Sequence, residues 1–217
     1  LFSCALVLVG AESPGTNTLT SAWLSSRANV QTWSADVVQT RHFKSLSQPL
    51  KAQGRVWFSA PNQFRWELGT PPQTIALRQP DEMWVIYPRL KRAEKYPLNG
   101  DQQGPWRDTL ALLEAGFPRN RDELASRFRI LSEAAAGPLW ELSLQPKSAA
   151  ARRWMPLIKI AFATNDYSLR VTELQFADGS TMRNEFTNTV TNPQIPDSMF
   201  AAAVDQSFKV VEPLSSK

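Results

Sequence analysis

Apolar and polar residues alternate with a period of two along most of this chain, the pattern of strands that bury one face and wet the other. In "VQTWSADVVQTRHF", Trp33, Ala35 and Val37 alternate with Ser34, Asp36 and Val38, which predicts one long half-buried strand. "GRVWFSA" and "QFRWEL" flank Pro61-Asn62 as a hairpin, with Phe64 and Trp66 on one face of its second strand and Arg65 and Glu67 on the other. "QTIALRQ", "EMWVIYP" and "RLKRAEKYP" add three strands, separated by Gln79-Pro80-Asp81 and a tight turn at Pro88. "RFRILSE", "PLWELSLQP", "PLIKIAFAT", "LRVTELQFA" and "TMRNEFTNTV" follow, with turns at Asn165-Asp166 and Ala177-Asp178-Gly179-Ser180. A phase change near Glu173 predicts a bulge there. Turns this short make the sheet antiparallel, since a parallel one requires long crossovers.

Two segments depart from this period. "TNTLTSAWLSSRA" places Leu19, Trp23 and Leu24 at helical spacing, which predicts a short amphipathic helix from about Thr16 to Ala28. "GPWRDTLALLEAGFP" puts Trp106, Leu110, Leu113 and Phe117 on one helical face, with Pro105 at its start and Gly116 and Pro118 at its end, so a helical insertion lies over the sheet.

The 217 residues suit one domain, and 42% hydrophobic residues fill a core without a disulfide or a metal. The N-terminal "LFSCALVLVGAES" resembles the apolar region and cleavage site of a secretory signal, so residues 1–11 are set apart from a single domain at 12–217 outside the cytoplasm. An alternative makes Cys4 a lipid anchor, although "ALVLV" stays apolar beyond it. Removal of Cys4 would leave no cysteine at all. The net charge of +4 comes from basic residues scattered among 20 acidic ones, a mildly basic surface suited to an anionic membrane or acidic partner and not the stripe of a nucleic-acid binder.

Catalytic chemistry finds few groups to use. His42 is the only histidine, which excludes a multi-histidine metal site. No Gly-x-Ser-x-Gly elbow, P-loop or Gly-x-Gly-x-x-Gly stretch occurs, so neither an exposed serine nucleophile nor a phosphate cradle is indicated. The adjacent carboxylates Asp81-Glu82 and Asp122-Glu123 point apart in a strand and are solvated in a loop. No enzyme activity and no cofactor are expected. Aromatic residues are the stronger signal: Trp57, Phe58, Phe64, Trp66, Trp84 and Tyr87 crowd the middle strands. These rings either fill an ordinary core closed by the two helices, or line a hollow in a curved sheet that admits an acyl chain.

Several of these stretches resemble a known family. "VQTWSADVVQTR" is similar to the aromatic-x-Ala-x-apolar-x-Gln pattern after the first helix of the LolA-type outer-membrane lipoprotein carrier proteins, at Trp33, Ala35, Val37 and Gln39. "GRVWFSAPNQFRWEL" resembles the family hairpin at Gly54, Trp57, Pro61, Asn62, Phe64 and Trp66, and "DEMWVIYP" its aromatic strand, with Asp81-Glu82 where Asp-Gly is usual. "FTNTVTNPQIPDSMF" resembles its C-terminal series at Phe186, Asn188, Asn192, Ile195 and Phe200. The resemblance implies a mainly β fold with a helical lid: a single curved antiparallel sheet forming an incomplete (half) β-barrel closed by short helices.

It further implies a monomeric periplasmic carrier that takes acyl chains of lipoproteins, or a related lipidic cargo, from an inner-membrane exporter to an outer-membrane acceptor, near membranes only transiently. The alternatives are a LolB-like anchored receptor and a LolA-like paralogue serving export of glycolipids or other hydrophobic compounds. The expected cavity lining is Trp57, Phe64, Trp66, Met83 and Trp84 from the sheet, Trp23 and Leu24 from the first helix, and Leu110 and Leu113 from the insertion. Two departures stand out. Ala60 replaces a basic residue held to keep the family's lid closed, so that Arg65 or Arg55 substitutes or the closure differs, and "AVDQSF" replaces the usual Pro-x-Gly before the last strand.

Overall fold

The computed structural model describes residues 17–98, 118 and 120–213. The segment 1–11, Cys4, and the expected insertion helix with Trp106, Leu110, Leu113 and Phe117 lie outside the described residues. Helix α1 (Asn17–Arg27) leads into β1 (Thr32–His42), β2 (Leu50–Ser59), β3 (Gln63–Leu68), β4 (Thr74–Arg78), β5 (Glu82–Tyr87) and β6 (Arg92–Pro97). After α2 (Arg121–Arg127) come β7 (Phe128–Ala136) and β8 (Leu139–Pro146), then α3 (Ala149–Trp154), β9 (Leu157–Ala163), β10 (Leu169–Gln175), β11 (Thr181–Thr191) and β12 (Lys209–Val211). All twelve strands form one sheet in the order β12-β6-β5-β4-β3-β2-β1-β11-β10-β9-β8-β7, and its two ends do not join into a closed barrel.

The alternation foreseen for β1 holds, with Trp33, Ala35 and Val37 buried, and β8 alternates through its whole length. Three expectations need correcting. The sheet is not wholly antiparallel, because β12 pairs with β6 in parallel; the long excursion from β11 lets the chain return in the same direction as β6. The bulge in β10 lies between Leu169 and Val171, not at Glu173. Helices α2 and α3 occupy stretches assigned to no element, being too short for a helical stripe. Their signals are the caps: Asn120 Oδ1 accepts from Glu123 N at 2.8 Å and Ser148 Oγ from Ala151 N at 3.3 Å. Asp122 and Glu123 thus sit in the first turn of α2, where carboxylates complement the helix dipole.

Cross-strand partners share a face, so register sorts the side chains. The inner face carries Trp33, Ala35 and Val37 of β1, Val56 and Phe58 of β2, Phe64 and Trp66 of β3, and Phe186 of β11. It also carries Trp140, Leu142 and Leu144 of β8 against Phe162, Ile160 and Ile158 of β9. Most of the buried apolar residues form one cluster on this face. A second cluster occupies the outer face behind β4–β6, where Ile75, Ile86 and Ala93 meet Trp84, Ala202, Val204 and Phe208. The C-terminal segment covers it: Arg65 Nη1 donates to Met199 O (3.2 Å), Gln79 Nε2 to Phe200 O (2.8 Å), and Lys91 Nζ lies 4.7 Å from the Phe208 ring centre.

Strands β2 and β3 approach closely at Gly54. A Cβ on Gly54 would lie 1.8 Å from the backbone oxygen of Glu67 across the β2–β3 ladder, an approach only glycine permits. Gly54→Ala therefore pushes the two strands apart and is expected to cost about 3 kcal/mol of unfolding free energy, read from denaturant melts.

Candidate functional site

The inner face is solid over one part and hollow over another. Helix α1 fills the solid part: Trp23 is 0% exposed and stacks flat on Phe162 with 4.9 Å between centroids and 1° between planes. Leu24, Trp140 and Leu142 are buried in the same cluster. Polar bonds fix both ends of the helix. Thr20 Oγ1 donates to Glu133 Oε2 at 2.6 Å and accepts from Trp140 Nε1 at 3.3 Å. Arg27 Nη2 donates to Tyr167 O at 2.6 Å, and burial brings its pKa down to about 10 against the attraction of Asp166. The connection into β1 is clamped by Asn192, whose Oδ1 accepts from Gln31 N (2.8 Å) and Thr32 N (3.3 Å) while Nδ2 donates to Asn29 O (3.2 Å). Asn192 sits at φ +55°, a conformation asparagine tolerates better than most residues.

The hollow has a volume of ≈ 620 Å³ and is lined from β1, β3–β6, β10 and β11. In a flat sheet β6 and β10 would stand about 34 Å apart, seven strand spacings, so bringing both to one cavity requires the sheet to curl around it. Strand β2 carries small inward residues between the two wings, Ala52 opposite Gln39 and Gly54 opposite Val37.

Polarity is graded along the hollow. Phe64, Trp66, Met83 and Val85 line one wall, with Leu174, Phe176 and Met182 on the other. Trp66 packs edge-on to Phe186 (5.8 Å, 70°), and its buried Nε1 has no hydrogen-bond partner among the described residues. Polar side chains sit beside them in satisfied networks. Arg41 Nε donates to Gln39 Oε1, Gln39 Nε2 to Asn184 Oδ1 and Asn184 Nδ2 to Thr172 Oγ1, at 3.0, 3.0 and 3.1 Å. Opposite, Tyr96 Oη and Arg92 Nη2 both donate to Glu94 at 2.7 Å. Burial, and for Tyr96 also its bond to the Glu94 carboxylate, keeps the Tyr87 and Tyr96 hydroxyls protonated beyond the usual phenol range. Such a cavity can hold an apolar chain and offer hydrogen bonds along its sides; none of its groups forms a nucleophile–base pair.

The structure brings Phe64, Trp66 and Met83 together at this cavity and separates the other expected lining residues from it. Trp57 pairs with Arg65 on the outer face, under Arg55 at 5.4 Å. Trp84 also faces outward, donating Nε1 to Glu82 Oε1 at 2.7 Å beneath Lys95. Neighbours in a strand point to opposite faces, so Met83 and Trp84 cannot line one cavity. Trp23 and Leu24 belong to the solid part, whereas Leu110 and Leu113 lie outside the described residues. Neither arginine takes the place of a basic residue at Ala60: Arg65 pairs with Glu67 (2.6 Å) and Arg55 with Asp36 (3.8 Å), both on the outer face. Gln39, Asn184, Glu94 and Tyr96 were not anticipated. Their signal is polar residues at inward positions of otherwise apolar strands, such as Gln39 two places after Val37.

The family model described as outer membrane lipoprotein carrier protein LolA matches residues 28–203. No curated protein matches the sequence. Among solved structures, an uncharacterized conserved protein from Thermus thermophilus is similar over 90% of this chain and 99% of its own, at 10% identity and a TM-score of 0.53, and shares the fold. A LolA superfamily protein from Nitrosomonas europaea covers 84% of this chain and 97% of its own (8% identity, TM-score 0.42). The MucA/MucB complex of Pseudomonas aeruginosa contains a chain matched over 88% of this one and 62% of its own (17% identity, TM-score 0.44).

The division into solid and outer positions has a direct readout. Trp23→Ala is expected to lose about 3–5 kcal/mol of stability in chemical denaturation, as for other fully buried aromatics. Trp57→Ala, half-buried on the outer face under Arg55, is expected to lose markedly less, about 1 kcal/mol.

Proposed function

We propose that this chain, which belongs to the outer membrane lipoprotein carrier protein LolA family, is a non-enzymatic, monomeric carrier of acyl chains in the periplasm. It takes the lipid moiety of a lipoprotein, or of a related lipidic cargo, from an inner-membrane exporter and yields it to an outer-membrane acceptor. The observation that carries this reading is the apolar hollow walled by Phe64, Trp66, Met83, Leu174 and Met182, continuous with the core against which α1 packs. Its ≈ 620 Å³ falls in the range of about 300–1,000 Å³ typical of ligand cavities.

The energetics set the manner of binding. Each methylene removed from water contributes about 0.8 kcal/mol, so one chain of ~16 carbons gives on the order of 12 kcal/mol gross. Three fully sheathed chains would exceed the ceiling of roughly 20 kcal/mol for non-covalent affinity, and release would stop. Partial burial, offset by the work of moving α1 against the sheet, leaves an affinity that a tighter acceptor can overcome without nucleotide. Ala60, with Arg55 and Arg65 both on the outer face, favours as second reading a family paralogue whose cargo is a glycolipid or another hydrophobic compound.

The purified protein is expected to enhance the fluorescence of an acyl probe and to yield lipid on solvent extraction and mass spectrometry. Trp66→Glu puts a charge into the apolar wall and is expected to weaken probe binding by more than about tenfold. Trp57→Gln, altered on the outer face, should bind as wild type. Native mass spectra showing only bare protein after challenge with lipidated cargo would refute the carrier reading.

A further inference from the structure

The loop between β1 and β2 differs from the rest of the surface. Phe43, Leu46 and Leu50 are 36%, 47% and 55% exposed within eight consecutive residues. The other exposed large apolar side chains of the described residues, Leu90, Leu131, Trp154, Val190 and Val210, are scattered singly along the chain. The same stretch is basic. Arg41, Lys44 and Lys51 flank the apolar residues, and no Asp or Glu occurs between Asp36 and Glu67. The nearby acid is Asp178, in the turn before β11, where Lys44 lies over Gly179.

Register ties this loop to the hollow. Leu50 pairs with Arg41 across the β1–β2 ladder, and Arg41 pairs with Met182 on its other side, so the three share the inner face. Arg41 and Met182 line the hollow, and Arg41 is exposed, so the Leu50 side chain stands beside the cavity where it meets solvent. Apolar anchors between basic side chains are the composition that binds the boundary of an anionic bilayer, the chains entering the interface and the cations meeting headgroup phosphates. An acidic protein surface would satisfy the lysines but leave Phe43, Leu46 and Leu50 without an apolar environment.

We propose that the β1–β2 loop, residues 43–49 with the flanking Leu50 and Lys51, is the surface by which this protein docks on a bilayer carrying anionic lipid. Docking there sets the mouth of the hollow against the headgroups, so that a chain passes between membrane and cavity with little exposure to water. That consequence rests on the carrier reading; the docking itself does not.

The test is sedimentation of the purified protein with vesicles of phosphatidylcholine, with and without phosphatidylglycerol. Binding is expected to the anionic vesicles and to fall by about tenfold on raising salt to ~0.5 M. The combined replacement Phe43→Ser and Leu46→Ser, and separately Lys44→Gln with Lys51→Gln, are each expected to reduce it by about tenfold or more. Uptake of an acyl probe from solution stays at the wild-type level in both variants, which also verifies that they fold. Wild-type protein that sediments with neither vesicle, or variants that sediment as well as wild type, would overturn the proposal. Vesicle binding that persists in protein unable to take up any acyl probe would instead uphold the docking surface and remove the carrier reading.

Discussion

The architecture depends on the curl of the sheet that brings β6 and β10 to one cavity, and within it on the close approach of β2 and β3. Backbone atoms of β2 and β3 come within a distance that excludes even a methyl group at Gly54. A sheet with ordinary coil alone would leave β6 and β10 far apart, with their inward residues wet. Because it curls, Met83 and Tyr96 on one wing and Leu174 and Met182 on the other line one cavity. Much of this apolar surface is sheltered without being tightly filled, which an ordinary protein interior avoids.

The two parts of the inner face obey different rules. Where α1 lies, side chains interlock: Trp23 against Phe162, with Thr20 joining the indole of Trp140 to the carboxylate of Glu133. Where the hollow lies, the polar residues among the apolar ones bond mainly to one another, as in the run from Arg41 through Gln39 and Asn184 to Thr172. A self-satisfied network keeps its polarity without demanding a ligand atom, so an apolar occupant can lie beside it at little desolvation cost.

Much of this was legible from residue pattern. The period-two alternation gave the strand meander, the Pro61-Asn62 turn gave the hairpin that brings Phe64 and Trp66 onto one face, and the spacing of Trp23 and Leu24 gave α1 and its buried side. Local pattern failed where the answer lay in long-range register. Gln39 meets Asn184 across 145 residues, and nothing local to either marks the pairing. Trp57 and Trp84 were drawn into the cavity by their size, although strand parity against Phe58 and Met83 already put them outside. The three-residue β12 is too short for any periodicity, and its parallel pairing follows from the path of the preceding segment. The Asn192 clamp shows what an isolated family motif residue does: it ties the root of the helix to the far end of β11.

The C-terminal segment gives the cavity a stiff back. Phe208, Val204 and Ala202 press on the reverse side of β4–β6 while β12 splices onto β6, so the wall carrying Met83 and Tyr96 is buttressed from behind. A trough reinforced in this way does not widen by flexing its own strands. On the opposite side of the same sheet α1 is fastened by Thr20, by Arg27 and by the stacked Trp23, so the sheet is braced on both of its faces.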